Sequence, residues 1–67
     1  MNKHEFKGNW QQLKGKVQEQ WGKLTGDDLT RIDGQYEQLV GMLQERYGKS
    51  KEAAEKEVNQ YLNQTRH

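Results

Sequence analysis

The length and composition of the chain already exclude several classes of protein. It has 67 residues, of which 30% are hydrophobic and 31% charged, a net charge of +1 and a mean hydropathy of −1.39. A chain this short forms one domain, which buries only about 60% of the surface that its unfolded form exposes. Without cysteine there are no disulfides or thiolate metal sites, and no stretch approaches the roughly 20 apolar residues of a membrane span. No signal peptide opens the chain, so we expect a cytoplasmic protein.

The first predicted element is an amphipathic helix near residues 4–21. Its apolar residues recur at spacings of three and four, which places them in one stripe at about 100° per residue. The stripe consists of Phe6, Trp10, Leu13, Val17, Trp21 and Leu24. No segment alternates with a period of two and proline is absent, so the sequence predicts an all-α fold.

The segment after this helix carries the signature of a helix start. Thr25 and Asp28 have the spacing of a capping box, and Asp27 with Asp28 suits the positive end of a helix dipole. We therefore predict a short helix near residues 27–31.

Two further helices follow in the second half of the chain. The third is predicted near residues 34–47, on the stripe Ile32, Tyr36, Leu39, Leu43 and Tyr47. Ser50 is a suitable N-cap for a fourth, near residues 51–62, whose buried side contains Ala53, Ala54, Val58, Tyr61 and Leu62. Residues 63–67 are expected to fray.

An internal duplication relates the two halves of the chain. Glycines recur every seven residues in two ladders that are 26 residues apart: Gly8, Gly15 and Gly22, then Gly34, Gly41 and Gly48. Because an amphipathic helix pair cannot bury its stripe alone, two pairs are expected to pack on each other. We predict one small four-helix domain over residues 1–67, built of two packed α-hairpins with repeat halves near 6–31 and 32–62. Its main buried set is expected to be the two stripes together with Leu29, Val58 and Leu62.

The ladder glycines suggest two different roles. Gly22 and Gly48 follow the last aromatic residue of each stripe, where a helix favours a left-handed C-terminal residue. Gly15 and Gly41 lie in mid-helix opposite the stripe, at a cost of about 1 kcal/mol relative to alanine. They are either tolerated in a solvated face or leave room for the close approach of a partner helix or a second copy.

Several short motifs resemble those of the CsbD-like family of small bacterial stress proteins. The most specific are Gly8-Asn9-Trp10, Lys14-Gly15-Lys16, Trp21-Gly22-Lys23-Leu24-Thr25 and Gln44-Glu45-Arg46-Tyr47-Gly48. The resemblance extends from Asn2 to about Tyr61 and is weakest in the tail. It implies an abundant, stress-induced, cytoplasmic protein with a bundle of α-hairpins and no established biochemical activity. It supplies no catalytic or ligand-binding residues.

The residues themselves do not form a chemical site. His4 and His67 lie near opposite ends of the chain without a clear acidic partner, and a domain this small leaves little room for a pocket. The pair Asp27 and Asp28 is better explained as a helix cap than as a cation site. We therefore predict no enzymatic activity, no cofactor, and no catalytic or metal-binding residue.

The first helix raises the question of nucleic-acid or membrane binding. Lysines accompany Trp10 and Trp21 along it: Lys3, Lys7, Lys14, Lys16 and Lys23. The tryptophans, however, lie on the stripe, and the lysines divide between its two flanks, where their stems cover the edge of the core. We expect a monomer that binds neither nucleic acid nor membrane.

Two non-enzymatic functions remain. One is a protective, hydrophilin-like protein that acts through hydration and weak protein contacts, in keeping with the low hydropathy and high glycine content. The alternative is an adaptor or nucleic-acid-binding module that uses the lysine-flanked first helix or the glycine face.

Overall fold

A computed structural model describes residues 3–64, and these form five helices without a strand. The helices are α1 (Lys3–Gly8), α2 (Trp10–Gln20), α3 (Gly26–Ile32), α4 (Tyr36–Tyr47) and α5 (Lys51–Gln64). The all-α prediction is confirmed. Helix α4 packs against α1, α3 and α5 and is the central element of the described chain.

The predicted first helix is wrong in one respect, because it breaks at Asn9 into α1 and α2. Gly8 and Asn9 both have low helix propensity, and Asn9 has non-helical dihedral angles (φ −101°, ψ 11°). The backbone of Gly34 packs against the break, where a Cβ built on Gly34 would lie 3.0 Å from Cβ of Trp10 and 3.1 Å from Cα of Lys7. The described chain therefore has five helices instead of four.

The predicted stripes form the core. Thirteen of the fourteen residues named from the sequence are buried, and Trp21 and Phe6 are the largest side chains that are almost fully enclosed. Tyr47 is the exception: it is half-buried, and its hydroxyl accepts a hydrogen bond from the backbone N–H of Lys23 at 3.1 Å. The structure adds Val40 and Met42 to the core. Of the two alanines predicted for the buried side of the last helix, Ala54 is buried and Ala53 is exposed.

Helix α3 begins with the predicted capping box. The N–H of Asp28 donates to Oγ1 of Thr25 at 3.1 Å, and the N–H of Thr25 donates to Oδ2 of Asp28 at 3.0 Å. At its other end Asp33 (φ 46°) and Gly34 (φ 77°) adopt left-handed conformations and turn the chain into α4. Consequently α4 begins at Tyr36, two residues later than predicted.

The prediction of two left-handed C-terminal glycines holds for only one of them. Gly48 ends α4 with φ 66°, whereas Gly22 has no positive φ and the C-cap of α2 is Trp21. After α2 the chain instead forms a turn in which the N–H of Leu24 donates to the carbonyl of Trp21 at 3.1 Å. The side-chain amide of Gln18 donates to the carbonyl of Leu24 at 3.2 Å, which ties this turn back to the helix.

Helix α5 starts as predicted and runs further. The hydroxyl of Ser50 accepts a hydrogen bond from the N–H of Ala53 at 3.2 Å, which satisfies a free donor of the first turn. The helix continues to Gln64, two residues beyond the predicted end. The other residues expected to fray, 65–67, lie outside the described part of the chain.

Candidate functional surfaces

The two tryptophans are core residues, as predicted. Trp10 is 6% exposed and packs against Phe6 with ring centroids 5.4 Å apart, and Trp21 is 2% exposed. Residues 3–64 expose no large hydrophobic side chain at all. Base stacking and insertion into a membrane surface both use exposed aromatic or apolar groups.

Two of the five candidate lysines interact within the protein. Lys3 lies 2.6 Å from Oε1 of Glu37 and 5.1 Å from the ring centre of Tyr36, and the hydrogen bond from Lys3 lowers the pKa of Glu37. Nζ of Lys23 lies 5.0 Å from the ring centre of Tyr47, a cation–π contact. Lys7, Lys14 and Lys16 are exposed on α1 and α2. The first helix thus lacks an array of five free cations.

Asp28 is the one buried charged residue of the described chain, and its carboxylate pairs with an arginine. It is 1% exposed, and Arg46 contacts both of its oxygens, with Nη2 2.7 Å from Oδ1 and Nε 3.0 Å from Oδ2. The hydrogen bonds from Arg46 and from the Thr25 N–H hold the pKa of Asp28 well below its usual range. Its neighbour Asp27 is exposed. Within residues 3–64 no three His, Asp or Glu side chains are placed to hold a metal ion.

A second polar cluster joins the end of α2 to α5. The indole N–H of Trp21 donates to Oε1 of Glu57, whose Oε2 lies 3.0 Å from Nζ of Lys49. The hydrogen bond from Trp21, followed by that from Lys49, lowers the pKa of Glu57. The ring of Tyr61 packs edge-on against Trp21 with centroids 5.0 Å apart. This cluster anchors α5 over the core.

Only one of the two histidines lies in the described part of the chain. His4 is exposed on α1 and lines a shallow depression of about 340 Å³ together with Lys3, Lys7 and Glu37. His67 lies outside the residues that the structure describes.

A groove of about 600 Å³ lies between α2 and α3. One wall consists of the outward face of α2, with Gln11, Gln12, Lys14, Gly15 and Gln18, and the other of Gly26, Thr30 and Asp33. Trp10 and Leu29, both buried, also line it. Its volume falls in the range of small-molecule sites, about 300–1,000 Å³.

Sequence reasoning did not find the groove or the partner of Asp28. The groove depends on the angle between α2 and α3, about which the apolar period of a single helix carries no information. Arg46 lies 18 residues beyond Asp28, and an isolated arginine at the end of a helix gives no local signal. The glutamines at 11 and 18, seven residues apart on one helix face, were the only visible hint of a polar wall.

These observations define the class of protein: a small all-α domain with a highly polar surface. None of the helices formed by residues 3–64 combines the length and apolar character needed to cross a membrane. The sequence model of the CsbD-like family matches residues 4–56, and the chain belongs to that family.

Relatives in several bacteria match along most of their length. A UPF0337 protein of Pectobacterium atrosepticum is 66% identical over 91% of this chain and 88% of its own. The UPF0337 protein YjbJ of Escherichia coli K12 is 67% identical over 87% of this chain and 84% of its own. A UPF0337 protein of Protochlamydia amoebophila is 53% identical over 98% of this chain and its full length. No solved structure matches the chain.

Proposed function

We propose that the protein is a non-enzymatic bacterial stress-response protein that protects other macromolecules through its hydrated surface and weak contacts. The observation that supports this role is the partition of the side chains. Although 30% of the residues are hydrophobic, residues 3–64 expose no large hydrophobic side chain. Such a surface stays hydrated and resists aggregation when the protein is abundant.

The interior gives this small domain a defined structure, which a purely disordered protectant lacks. Sixteen apolar residues form one continuous core, and no buried side-chain polar atom of the described chain lacks a hydrogen-bond partner. The Arg46–Asp28 pair and the Trp21–Glu57 bond join distant segments. We therefore attribute the protective effect to the folded domain and its hydrated surface.

We also infer that the domain arose by duplication of a helix pair. The two copies, residues 6–31 and 32–62, pack as two α-hairpins. Equivalent stripe positions are buried in both halves: Trp10 and Tyr36, Leu13 and Leu39, Val17 and Leu43. A circular permutant in which the second half precedes the first should then keep the helical content and cooperative melting of the parent. A permutant that stays unfolded would contradict this origin.

A protection assay tests the function. A freeze-labile enzyme is frozen or dried with the protein, and with an equal mass of an inert globular protein as the control. We expect the enzyme to recover more activity with this protein, and equal recovery would contradict the proposal. The Trp21→Ala variant is expected to be unfolded, so it tests whether protection needs the folded surface or only the amino-acid composition. Undiminished protection by this variant would contradict a role for the folded domain.

One observation favours the competing adaptor function: the faces at Gly15 and Gly41 are open, and a Cβ added at either position would meet no atom within 4 Å. Against it stands the lack of exposed aromatic or large aliphatic anchors on residues 3–64, since such anchors dominate protein interfaces. A pull-down from stressed cells tests the adaptor function, because a specific adaptor retains the same partner at high dilution.

We further propose that the protein is a monomer and acts in the bacterial cytoplasm. Sedimentation would check its oligomeric state, and cell fractionation would check its location.

A further inference from the structure

The groove between α2 and α3 suggests a role for Gly15, a glycine that the helical backbone does not require. Gly15 lies in the middle of α2, where glycine disfavours the helix, and a Cβ there would meet no atom within 4 Å. It lines the groove, so any side chain at this position would project into that space. Its repeat equivalent Gly41, equally open in the middle of α4, lies outside the groove. The two glycines therefore differ in the surface that they leave free.

The walls of the groove present polar groups that the protein does not use. The side chains of Gln11, Lys14 and Asp33 form no hydrogen bond or ion pair with any other residue of the range 3–64. Gln18 donates to the Leu24 carbonyl at 3.2 Å, which leaves its amide oxygen as an acceptor. The α2 wall thus offers donors and acceptors, and the α3 wall offers the acceptor oxygens of Asp33.

The lining of the groove also contains two apolar side chains. These are Trp10 and Leu29, which are 6% and 7% exposed. A ligand that fits here has hydrogen-bonding groups around its edge and carbon–hydrogen surface on one face.

The charge of the walls selects among ligand classes. Lys14 is the only cation of the lining and Asp33 the only anion, so the groove is close to neutral and has no cluster of cations for a phosphate or a nucleic acid. An extended peptide is also disfavoured, because both walls are helices and offer no strand edge. Side-chain amides, which donate and accept, suit hydroxyl groups.

We propose that this groove binds a small neutral polyhydroxyl solute of about disaccharide size, with Gln11, Gln18 and Asp33 bonding its hydroxyls and Trp10 beneath its ring face. This goes beyond the protective function and does not depend on it, since binding is measured without any client protein. The cavity of about 600 Å³ accommodates such a molecule. Because the groove opens to solvent on one side and holds few polar anchors, we expect millimolar affinity.

The experiment is a titration of the ¹⁵N-labelled protein with sucrose, followed by NMR. We expect saturable shifts that are confined to the side-chain amides of Gln11 and Gln18, the backbone N–H of Gly15 and the indole N–H of Trp10. The indole N–H of Trp21, bound to Glu57 on another face, is the internal control. Sodium phosphate and a short polar peptide, titrated separately, should give no saturable shifts in the groove.

Two variants form a matched pair. Gly15→Gln and Gly41→Gln both replace an open mid-helix glycine by a better helix former, so neither should lose stability. Gly15→Gln fills the groove and should weaken sucrose binding by about tenfold or more, whereas Gly41→Gln should bind like the parent. A melting curve for each variant shows that any loss of binding is not a loss of folding.

Three results would overturn the proposal. Shifts that grow linearly and spread over the whole surface would show that sucrose only changes the solvent. Equal binding by Gly15→Gln and the parent would place the site elsewhere. Saturation of the groove by phosphate or by the peptide, but not by sucrose, would assign it to another ligand class. None of these results bears on the freezing assay, so binding and protection can fail separately.

Discussion

The first repeat, residues 8–23, and the second, residues 34–49, carry glycine at the same three positions but place only one pair in similar surroundings. Gly15 and Gly41 are both exposed in mid-helix. Gly8 ends a helix whereas Gly34 is a buried, left-handed turn residue, and Gly48 is left-handed whereas Gly22 is not. Equivalent glycines therefore adopt different backbone conformations in the two repeats. The segments that pack against each glycine determine its conformation.

The two repeats occupy different positions in the domain. Helix α4, from the second repeat, packs against α1, α3 and α5, whereas α2, from the first, presents a broad polar face to solvent and to the groove. The second repeat has Arg46 where the first has Gln20, and only Arg46 has a buried carboxylate to pair with. The second repeat therefore makes contacts that the first one lacks.

The largest expected effect compares the last aromatic residue of each repeat. Trp21→Ala removes an almost fully buried ring and its bond to Glu57, and should cost about 3–5 kcal/mol of unfolding free energy. That is enough to unfold a domain of this size. Tyr47→Ala removes a half-buried ring and should cost clearly less. Urea denaturation followed by circular dichroism measures both, and similar losses would refute the asymmetry.

The second effect compares the first glycine of each ladder. Gly34→Ala must adopt φ 77°, which costs roughly 1–2 kcal/mol, and its Cβ would press on Trp10 and on the Lys7 backbone. Gly8→Ala places a methyl group in open space at the end of α1 and should leave stability unchanged or raise it by up to about 1 kcal/mol. In urea denaturation, Gly34→Ala should lower the midpoint, whereas Gly8→Ala should leave it unchanged or raise it. Equal midpoints for the two variants would contradict the close packing of Gly34 against the α1–α2 break.

The third effect tests the contact that distinguishes Arg46 from Gln20. Arg46→Gln gives the second repeat the residue of the first and removes the bidentate partner of Asp28. We expect a loss of stability at pH 7 that is smaller than that of Gly34→Ala, since Arg46 is 38% exposed and water can reach the site. Arg31→Gln, at an exposed position on α3, is the matched control for loss of one positive charge.

The pH dependence gives this variant a distinct signature. Because Arg46 and Thr25 lower the pKa of Asp28 in the folded state, the carboxylate stabilises the fold above its ordinary pKa of 3.8. That stabilisation is lost as the pH falls below this value toward the folded-state pKa. In Arg46→Gln the pKa is lowered less, so the decline in urea midpoint from pH 5 to pH 2 should be shallower than in the parent and in Arg31→Gln. Parallel curves would show that Arg46 does not set this pKa.

What the sequence predicted well depends on local rules. The apolar period found the stripes because each helix turns at a fixed angle per residue, and Thr25 with Asp28 found the cap because both bonds lie within one turn. Val40 and Met42 were missed because α4 is covered from several sides, which widens its buried face beyond one stripe.

The remaining errors concern features that tertiary neighbours decide. The break at Asn9 coincides with the approach of Gly34, 25 residues later, and the Gly22 turn is tied by Gln18 to Leu24. The groove likewise arises between two helices. None of these three features could be predicted from two repeats with such similar sequences.

The smallest effect concerns the one glycine pair that both repeats place alike. Gly15→Ala and Gly41→Ala each put a methyl group into open space in mid-helix, so each should stabilise the domain by up to about 1 kcal/mol. Thermal denaturation measures the gain, and sedimentation measures whether association changes. We expect higher melting temperatures with no loss of association, because a Cβ at either position would meet no atom within 4 Å. Higher stability with weaker association would instead show that a partner helix or a second copy approaches that face. Lower stability would contradict the open surroundings of both positions, and a gain at only one of them would show that this pair, too, is equivalent only in sequence.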